Sequence, residues 1–337
     1  EMTKLVRDEM LAAFSPSGRI EEIADVLRER FAGLTEWITF PMPEDPGGDR
    51  LGGTGPALLP ENLERLRKPA AAEAIAKGRM ATQMPAFGDR LTKEEIDALV
   101  AFVYAAPATR PVWGEAEINA TRFVYHADGT LPDKPQFAAD PMNLFVVVES
   151  GDHHASILDG DKLERIARFP TRYALHGGPK FTPDGRYVFF ASRDGWVTKY
   201  DLWNLKTVAE VRAGINTRNI AVSGDGKWVI AGNYLPHTLV VLDARDLSLV
   251  KLVPVADKDG RTSRVSAVYD AAPRKSFIVA LKDIPEVWEL TYDPKAAPVL
   301  WTSVKRTKSP NRDAGSPSSS RVEAIHLVIW SNATTIA

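Results

Sequence analysis

Cysteine is absent from all 337 residues. That excludes disulfides, thiolate metal sites, cysteine nucleophiles and thioether-linked haem. It leaves the redox compartment open. No apolar run approaches the roughly 20 residues of a membrane helix. Neither sign of charge prevails: 42 Lys and Arg stand against 44 Asp and Glu, for a net charge of −2 and a pI near 6.4. No basic field is therefore available for nucleic acid or an anionic membrane surface. The chain begins at Glu1 without a signal peptide, as a processed chain or a fragment does. What is present is an ordinary globular balance, 44% hydrophobic and 26% charged, with length enough for two or three domains and a sizeable core.

Residues 1–40 read as helical. Ile20, Ile23, Val26 and Leu27 recur at helical spacing among charges, and Phe31, Leu34, Trp37 and Ile38 extend the set. The segment carries no chemistry and reads as an amphipathic packing helix. Prolines and glycines from Pro41 to Gly55 then make a loop, and a helix is expected from about Asn62. Ala70 to Lys77 reads as helical and is stopped by Gly78. A second loop runs through Gln83-Met84-Pro85-Ala86-Phe87-Gly88. Thr92-Lys-Glu-Glu95 is a capping box before a helix with Ile96, Leu99, Val100 and Val103 on one face. A small helical domain over 41–106 is expected, with 107–120 as a linker.

Beyond 120 the period changes to that of strands, and the pattern repeats. Asp159-Gly-Asp-Lys-Leu163, Asp201-Leu-Trp-Asn-Leu205 and Asp243-Ala-Arg-Asp-Leu247 stand 42 residues apart both times. The turns Pro183-Asp184-Gly185 and Gly224-Asp225-Gly226 stand 41 apart. A four-stranded unit repeated every 40–45 residues is the signature of a β-propeller blade. A looser fourth copy runs from Ser276 through Val287-Trp-Glu-Leu290 to Val299-Leu-Trp301. The expected fold class is multidomain, a small helical domain followed by an all-β, incomplete propeller over 121–302. The remainder, 303–337, is rich in Ser, Pro, Arg and Lys and reads as disordered or non-native.

Tyr173-Ala-Leu-His176-Gly-Gly-Pro-Lys-Phe181 sets a histidine on a turn at a strand end, where a ring nitrogen can face a ligand. A lone histidine in such a place is more often a hydrogen-bonded structural residue. His153 and His154 sit in a Gly-Asp turn and read as an exposed pair. Asn233, Tyr234 and His237 lie in a strand-end loop that can line the same pocket. His126 and His326 have no supporting context.

Two resemblances sharpen this reading. Leu51-Gly-Gly-Thr-Gly-Pro-Ala-Leu58, Met84-Pro-Ala-Phe87 and Leu91 to Phe102 resemble the haem-side loop, methionine loop and last helix of a class I cytochrome c. That resemblance implies Met84 as an axial sulfur ligand to a c-haem iron, with Met80 the weaker neighbour. The sequence departs from it where the family has Cys-x-x-Cys-His: here stands Met42-Pro-Glu-Asp45-Pro46, without thiols or proximal histidine. The propeller resembles the haem d1 domain of cytochrome cd-type nitrite reductases, and most nearly their dihydro-haem d1 dehydrogenase relatives. The strings that carry this are Tyr173-Ala-Leu-His176, Arg193 to Trp203, Asn216-Thr-Arg218 and Ser263-Arg264-Val-Ser-Ala267. The resemblance implies His176 as the proximal haem d1 iron ligand. It implies Arg193, Arg218 and Arg264, with Tyr234, around the carboxylates of the tetrapyrrole, which arginine suits by its planar, permanently charged fork.

The function implied by that resemblance is a periplasmic oxidoreductase of haem d1 biogenesis, serving denitrification. It would oxidise dihydro-haem d1 and pass electrons through a cytochrome c domain to an external acceptor, with cytochrome cd-type nitrite reductase as a possible partner. Two alternatives remain: the nitrite reductase itself, and a non-enzymatic haem d1 carrier or scaffold. Nitrite reductases have a distal histidine after the Ser263-Arg264 strand, whereas this chain reads Tyr269-Asp270-Ala271-Ala272, which disfavours the first alternative.

Overall fold

The computed structural model describes residues 50–53, 55–80, 82, 84–107 and 109–293, with the backbone of 326–328. The helical segment expected over 1–40, the divergent 42–46 motif and the strand at 299–301 lie outside the described residues. So does the 303–337 tail, save for 326–328. The described residues form two compact units, Arg50 with 58–110 in one and 51–57 with 111 onward in the other.

In the first unit, Pro60 opens a short helix, α1 (Pro60–Leu63), because its fixed φ suits the first helical position. The helix expected from Asn62 is thus broken: the chain turns at 64–66 and restarts as α2 (Lys68–Lys77). The capping box forms as the sequence predicts. Thr92 Oγ1 accepts from the Glu95 amide at 3.2 Å and Glu95 Oε2 accepts from the Thr92 amide at 2.8 Å. They start α3 (Lys93–Tyr104). Ile96 and Leu99 bury against Phe87, Leu91, Ala72, Ile75 and Ala76. Val103 is only half-buried.

The second unit opens with a helix inside the stretch expected to be linker, α4 (Glu115–Ala120). Its start is hidden in the sequence because Gly114 has no capping side chain. Instead Glu117 Oε2 reaches back to the Gly114 amide at 2.8 Å. Ile118 is fully buried, and the Trp113 indole donates to Arg212 O at 3.0 Å, so this stretch is part of the packed unit.

Strands then come in sheets. β1 (Phe123–Val124) precedes the first sheet, β2 (Leu144–Glu149), β3 (His154–Asp159) and β4 (Arg165–Pro170). The second sheet is β5 (Lys180–Phe181), β6 (Tyr187–Ala191), β7 (Trp196–Asp201) and β8 (Lys206–Arg212), with β1 added outside β8. The third is β9 (Asn216–Val222), β10 (Trp228–Leu235), β11 (Thr238–Asp243) and β12 (Leu249–Pro254). The fourth is β13 (Val265–Ala271), β14 (Ser276–Leu281) and β15 (Val287–Thr291). β16 (His326–Val328), the described part of the 303–337 segment, pairs parallel to β15. Among the described residues the other pairings are antiparallel and, β1 on β8 apart, join strands consecutive in the chain, which is blade topology. The fold comprises an incomplete propeller and a helical unit.

Apolar faces of successive sheets meet. Ile157 of the first sheet packs with Val188, Phe190, Tyr200 and Leu202 of the second, and Phe169 stacks on Tyr200 at 3.9 Å between ring centres. Ile230, Leu239 and Val241 of the third pack with Val268, Phe277, Val279 and Leu290 of the fourth. Each fully buried aliphatic side chain contributes roughly 1.5–3 kcal/mol.

The repeated Asp-x-x-x-Leu motifs are the β3–β4, β7–β8 and β11–β12 turns. Asp159 Oδ1 accepts from the amides of Asp161 and Lys162, and Asp201 Oδ1 from those of Trp203 and Asn204. Asp243 Oδ1 accepts from the Arg245 amide. The leucine that ends each motif has positive φ, 58° at Leu163, 54° at Leu205 and 59° at Leu247. A short acceptor side chain holding its own turn explains why aspartate opens every copy.

Candidate functional site

Blade topology gathers two kinds of segment at one end: the turns between second and third strands, and the entries to the innermost strands. Asn216 pairs with Leu235, and Val265 pairs with Leu281. His176, Arg193, Arg218, Tyr234 and Arg264 all fall on such segments. The Asp-x-x-x-Leu turns occupy the opposite end.

The segment bearing His176 is held from several sides. Arg172 forks onto Glu210 with Nε–Oε1 3.0 Å and Nη2–Oε2 2.5 Å, and lies 3.8 Å over the Trp196 ring. Glu210 also accepts from Tyr125 and Thr198. Two backbone bonds fasten the chain on either side of the turn: His176 N donates to Ala191 O at 2.8 Å, and Arg193 N to Ala174 O at 3.1 Å. Tyr173 meets the His153 ring edge-on at 5.2 Å, so His153 supports the segment. His154 Nδ1 turns to Asp152 O. Gly177 has φ 86°, and a Cβ there would stand 2.5 Å from Asn219 Oδ1, so the turn beyond His176 admits only glycine.

His176 is half-buried and lines a cavity of about 270 Å³ with Val148, Leu175, Gly177, Pro179 and Phe190. Its Nδ1 lies 2.9 Å from Arg218 O. A carbonyl oxygen only accepts, so Nδ1 carries the proton and Nε2 presents its lone pair. Among the described residues Nε2 has no hydrogen-bond partner. Burial depresses the imidazole pKa, the bond to Arg218 O opposes this, and the Arg218 and Arg193 guanidinium groups depress it further. The ring is thus held neutral in the tautomer that binds a metal through Nε2.

Beside it is a cluster of cations on one aromatic ring. Arg218 lies 5.5 Å, Arg264 5.6 Å and Lys282 5.4 Å from the Tyr234 ring centre. Arg264 is engaged with Asp283, through Nε–Oδ2 2.9 Å and Nη2–Oδ1 2.6 Å. That pairing lowers the Asp283 carboxyl to about 2. Arg193 is exposed on the β6–β7 turn. The structure therefore gathers Arg218 and Arg264 around the Tyr234 ring, and brings Arg193 close enough to His176 to act on its charge.

Asn233, expected to line the pocket, is fully buried instead. It accepts from Thr217 Oγ1 at 2.6 Å and donates to Ala213 O and Thr238 Oγ1, bracing the strand beneath Tyr234. His237 Nδ1 pairs with Thr262 Oγ1. Tyr269 and Asp270 lie five and six residues along β13 from Arg264. The neighbouring Val268 carbonyl accepts from Asn219 Nδ2 at 3.1 Å, beside the Gly177 turn, and no histidine stands at Tyr269 or Asp270. In the helical unit, Met84 is half-buried and its carbonyl accepts from Arg79 N at 3.1 Å, while Met80 is 97% exposed.

Sequence reasoning missed Lys282. The available signal was a basic–acidic pair, Arg193-Asp194, recurring as Lys282-Asp283 at the corresponding turn.

The chain matches the Cytochrome D1 heme domain family over residues 139–322. It is 65% identical over 246 residues to dihydro-heme d1 dehydrogenase of Pseudomonas aeruginosa, covering 73% of this chain and 50% of that protein. It is 34% identical over 161 residues to Protein NirF of the same organism, covering 47% of this chain and 41% of that protein. To nitrite reductase of Stutzerimonas stutzeri it is 27% identical over 231 residues, covering 66% and 40%. The solved structure of dihydro-heme d1 dehydrogenase NirN in complex with DHE is similar, with TM-score 0.69 and 64% identity, covering 74% of this chain and 53% of that one. The chain spans about half the length of the relatives it matches. With four blade-like sheets, a neutral histidine facing a cavity and the family match across more than half its residues, this chain belongs to the cytochrome D1 heme domain family.

Proposed function

We propose that this chain belongs to a periplasmic oxidoreductase of haem d1 biogenesis that takes dihydro-haem d1 as substrate and delivers haem d1. The observation that carries this reading is His176, with Nδ1–H fixed on Arg218 O and Nε2 left with its lone pair. The donor set fits an iron tetrapyrrole with several carboxylates: one neutral imidazole for the metal, and cations for the rim. The similarity to dihydro-heme d1 dehydrogenase supports the same reading.

In this scheme His176 would hold the substrate iron through Nε2. Arg193 and Arg218 would meet its carboxylates, Arg264 is held beside them by Asp283, and the Tyr234 ring carries the cations. The reaction turns a propionate side chain into an acrylate, removing two electrons and two protons, with the electrons leaving to an acceptor outside this chain. The chain has no cysteine, so it cannot hold a thioether-linked c-haem, and no electron step is assigned to Met84. Among the described residues no helix is long and apolar enough to cross a membrane.

Reconstitution of the purified chain with dihydro-haem d1 tests the proposal. We expect a low-spin absorption spectrum that converts with time when an acceptor is added. His176→Ala should abolish that spectrum with the circular dichroism unchanged. An unaltered spectrum in His176→Ala would remove His176 from the site. Tight binding without conversion would favour the carrier, and nitric oxide from nitrite the reductase.

A further inference from the structure

We infer that Lys282 is a carboxylate-binding residue of this site, forming with Arg218 a clamp for a ligand bearing at least two carboxylates. The inference rests on the haem d1 reading and extends it to a residue that the family motifs do not name.

Three cationic heads lie on the Tyr234 ring, each between 5.4 and 5.6 Å from its centre. Like charges gathered on one ring repel, and a half-buried setting screens them less than bulk water does. The ring face offsets part of that cost. Among the described residues one of the three is paired with a carboxylate: Asp283 takes Arg264 through Nε and Nη2 and also accepts from the Arg264 backbone amide. Among the described residues neither Arg218 nor Lys282 has an ion-pair partner. Two positive charges are thus left unneutralised around one aromatic ring.

The backbone beneath Lys282 is built to hold it there. Its amide donates to Arg264 O at 2.9 Å and to Ser263 Oγ at 3.2 Å, while the Asp283 amide donates to Ser263 Oγ at 2.9 Å. Ser263 is fully buried. The β14–β15 turn is therefore tied to the entry of β13, so the Lys282 backbone is fixed beside Arg264 and its side chain starts from a set position. A lysine so placed has three N–H donors and a compact charge, which suits a single carboxylate oxygen. Arg264, occupied by Asp283, positions the turn. Lys282 supplies the charge that a ligand meets.

The test titrates the full chain with haem d1 by absorbance, using wild type, Lys282→Gln and Lys282→Arg, and repeats each titration with fully methyl-esterified haem d1. Thermal unfolding of each variant checks the fold. We expect Lys282→Gln to weaken haem d1 binding about tenfold, the loss of one charge-assisted contact. Lys282→Arg should stay within about threefold of wild type, and the ester should bind weakly and indifferently to the substitution. Wild-type binding with an unchanged Kd in Lys282→Gln overturns the role of Lys282 and leaves the haem d1 reading in place. A loss that is equal for the ester, or that arginine fails to restore, makes Lys282 structural and also overturns it. A wild-type chain that does not bind haem d1 sinks both.

Discussion

Asp194 should make this protein less stable as pH rises from about 4 to 6. It lies in the β6–β7 turn next to Arg193 and is 1% exposed. Burial pushes its carboxyl from 3.8 up to about 6, against the opposing pull of Ser192, Arg212 and Arg172. The folded chain thus keeps a proton that the unfolded chain has already released in that window. Stability is full below the unfolded pKa near 4 and falls until pH passes about 6, where both states are ionised. A rise of about two pKa units corresponds to about 3 kcal/mol, at about 1.4 kcal/mol each. Asp194→Asn keeps an acceptor for the Ser192 hydroxyl but cannot ionise. Urea unfolding of wild type and Asp194→Asn, followed by tryptophan fluorescence from pH 3.5 to 7.5, compares them directly. The variant should gain on wild type by about 3 kcal/mol between pH 4 and 6, with parallel curves on either side. Parallel curves throughout would show that the turn admits water, and the argument from burial would fail.

Leu163 has φ 58° and is 67% exposed, so Leu163→Gly should raise stability by about 1 kcal/mol, read from the urea midpoint. Gly195 has φ 97°, and an added Cβ would stand 1.7 Å from Gly214 O. Gly195→Ala should therefore lower the melting temperature by several degrees and disturb the neighbouring Arg193 turn, visible as weakened haem d1 binding. The Asp283 carboxyl is held at about 2 by Arg264, so its pairing stabilises the fold above about pH 4 and is lost as pH falls through about 2. Asp283→Asn should flatten that acid limb in a stability-against-pH profile.

Repetition made the strands legible. Three copies of Asp-x-x-x-Leu at equal spacing located three turns, because the aspartate acts within its own turn and needs nothing distant. The Thr92 capping box was legible for the same reason. Helix α4 was not, since its first residue is preceded by a glycine and its cap comes from Glu117. In the site, His176 and the arginines stood out by resemblance. Which arginine is already neutralised did not, because Arg264 and Asp283 are 19 residues apart and meet only when β13 and β14 pair. Asn233 was misplaced for the mirror reason: a polar residue at a strand end suggests a pocket wall, and only the fold shows Thr217 and Ala213 closing round it.

The aspartate-held turns have an evolutionary consequence. Each of the first three sheets carries its own fastening at the end away from the histidine and the cations, so loops at the reactive end can vary without loosening the scaffold. Whole repeats can then be gained, lost or exchanged between relatives as interchangeable modules, while chemistry diversifies on the opposite rim.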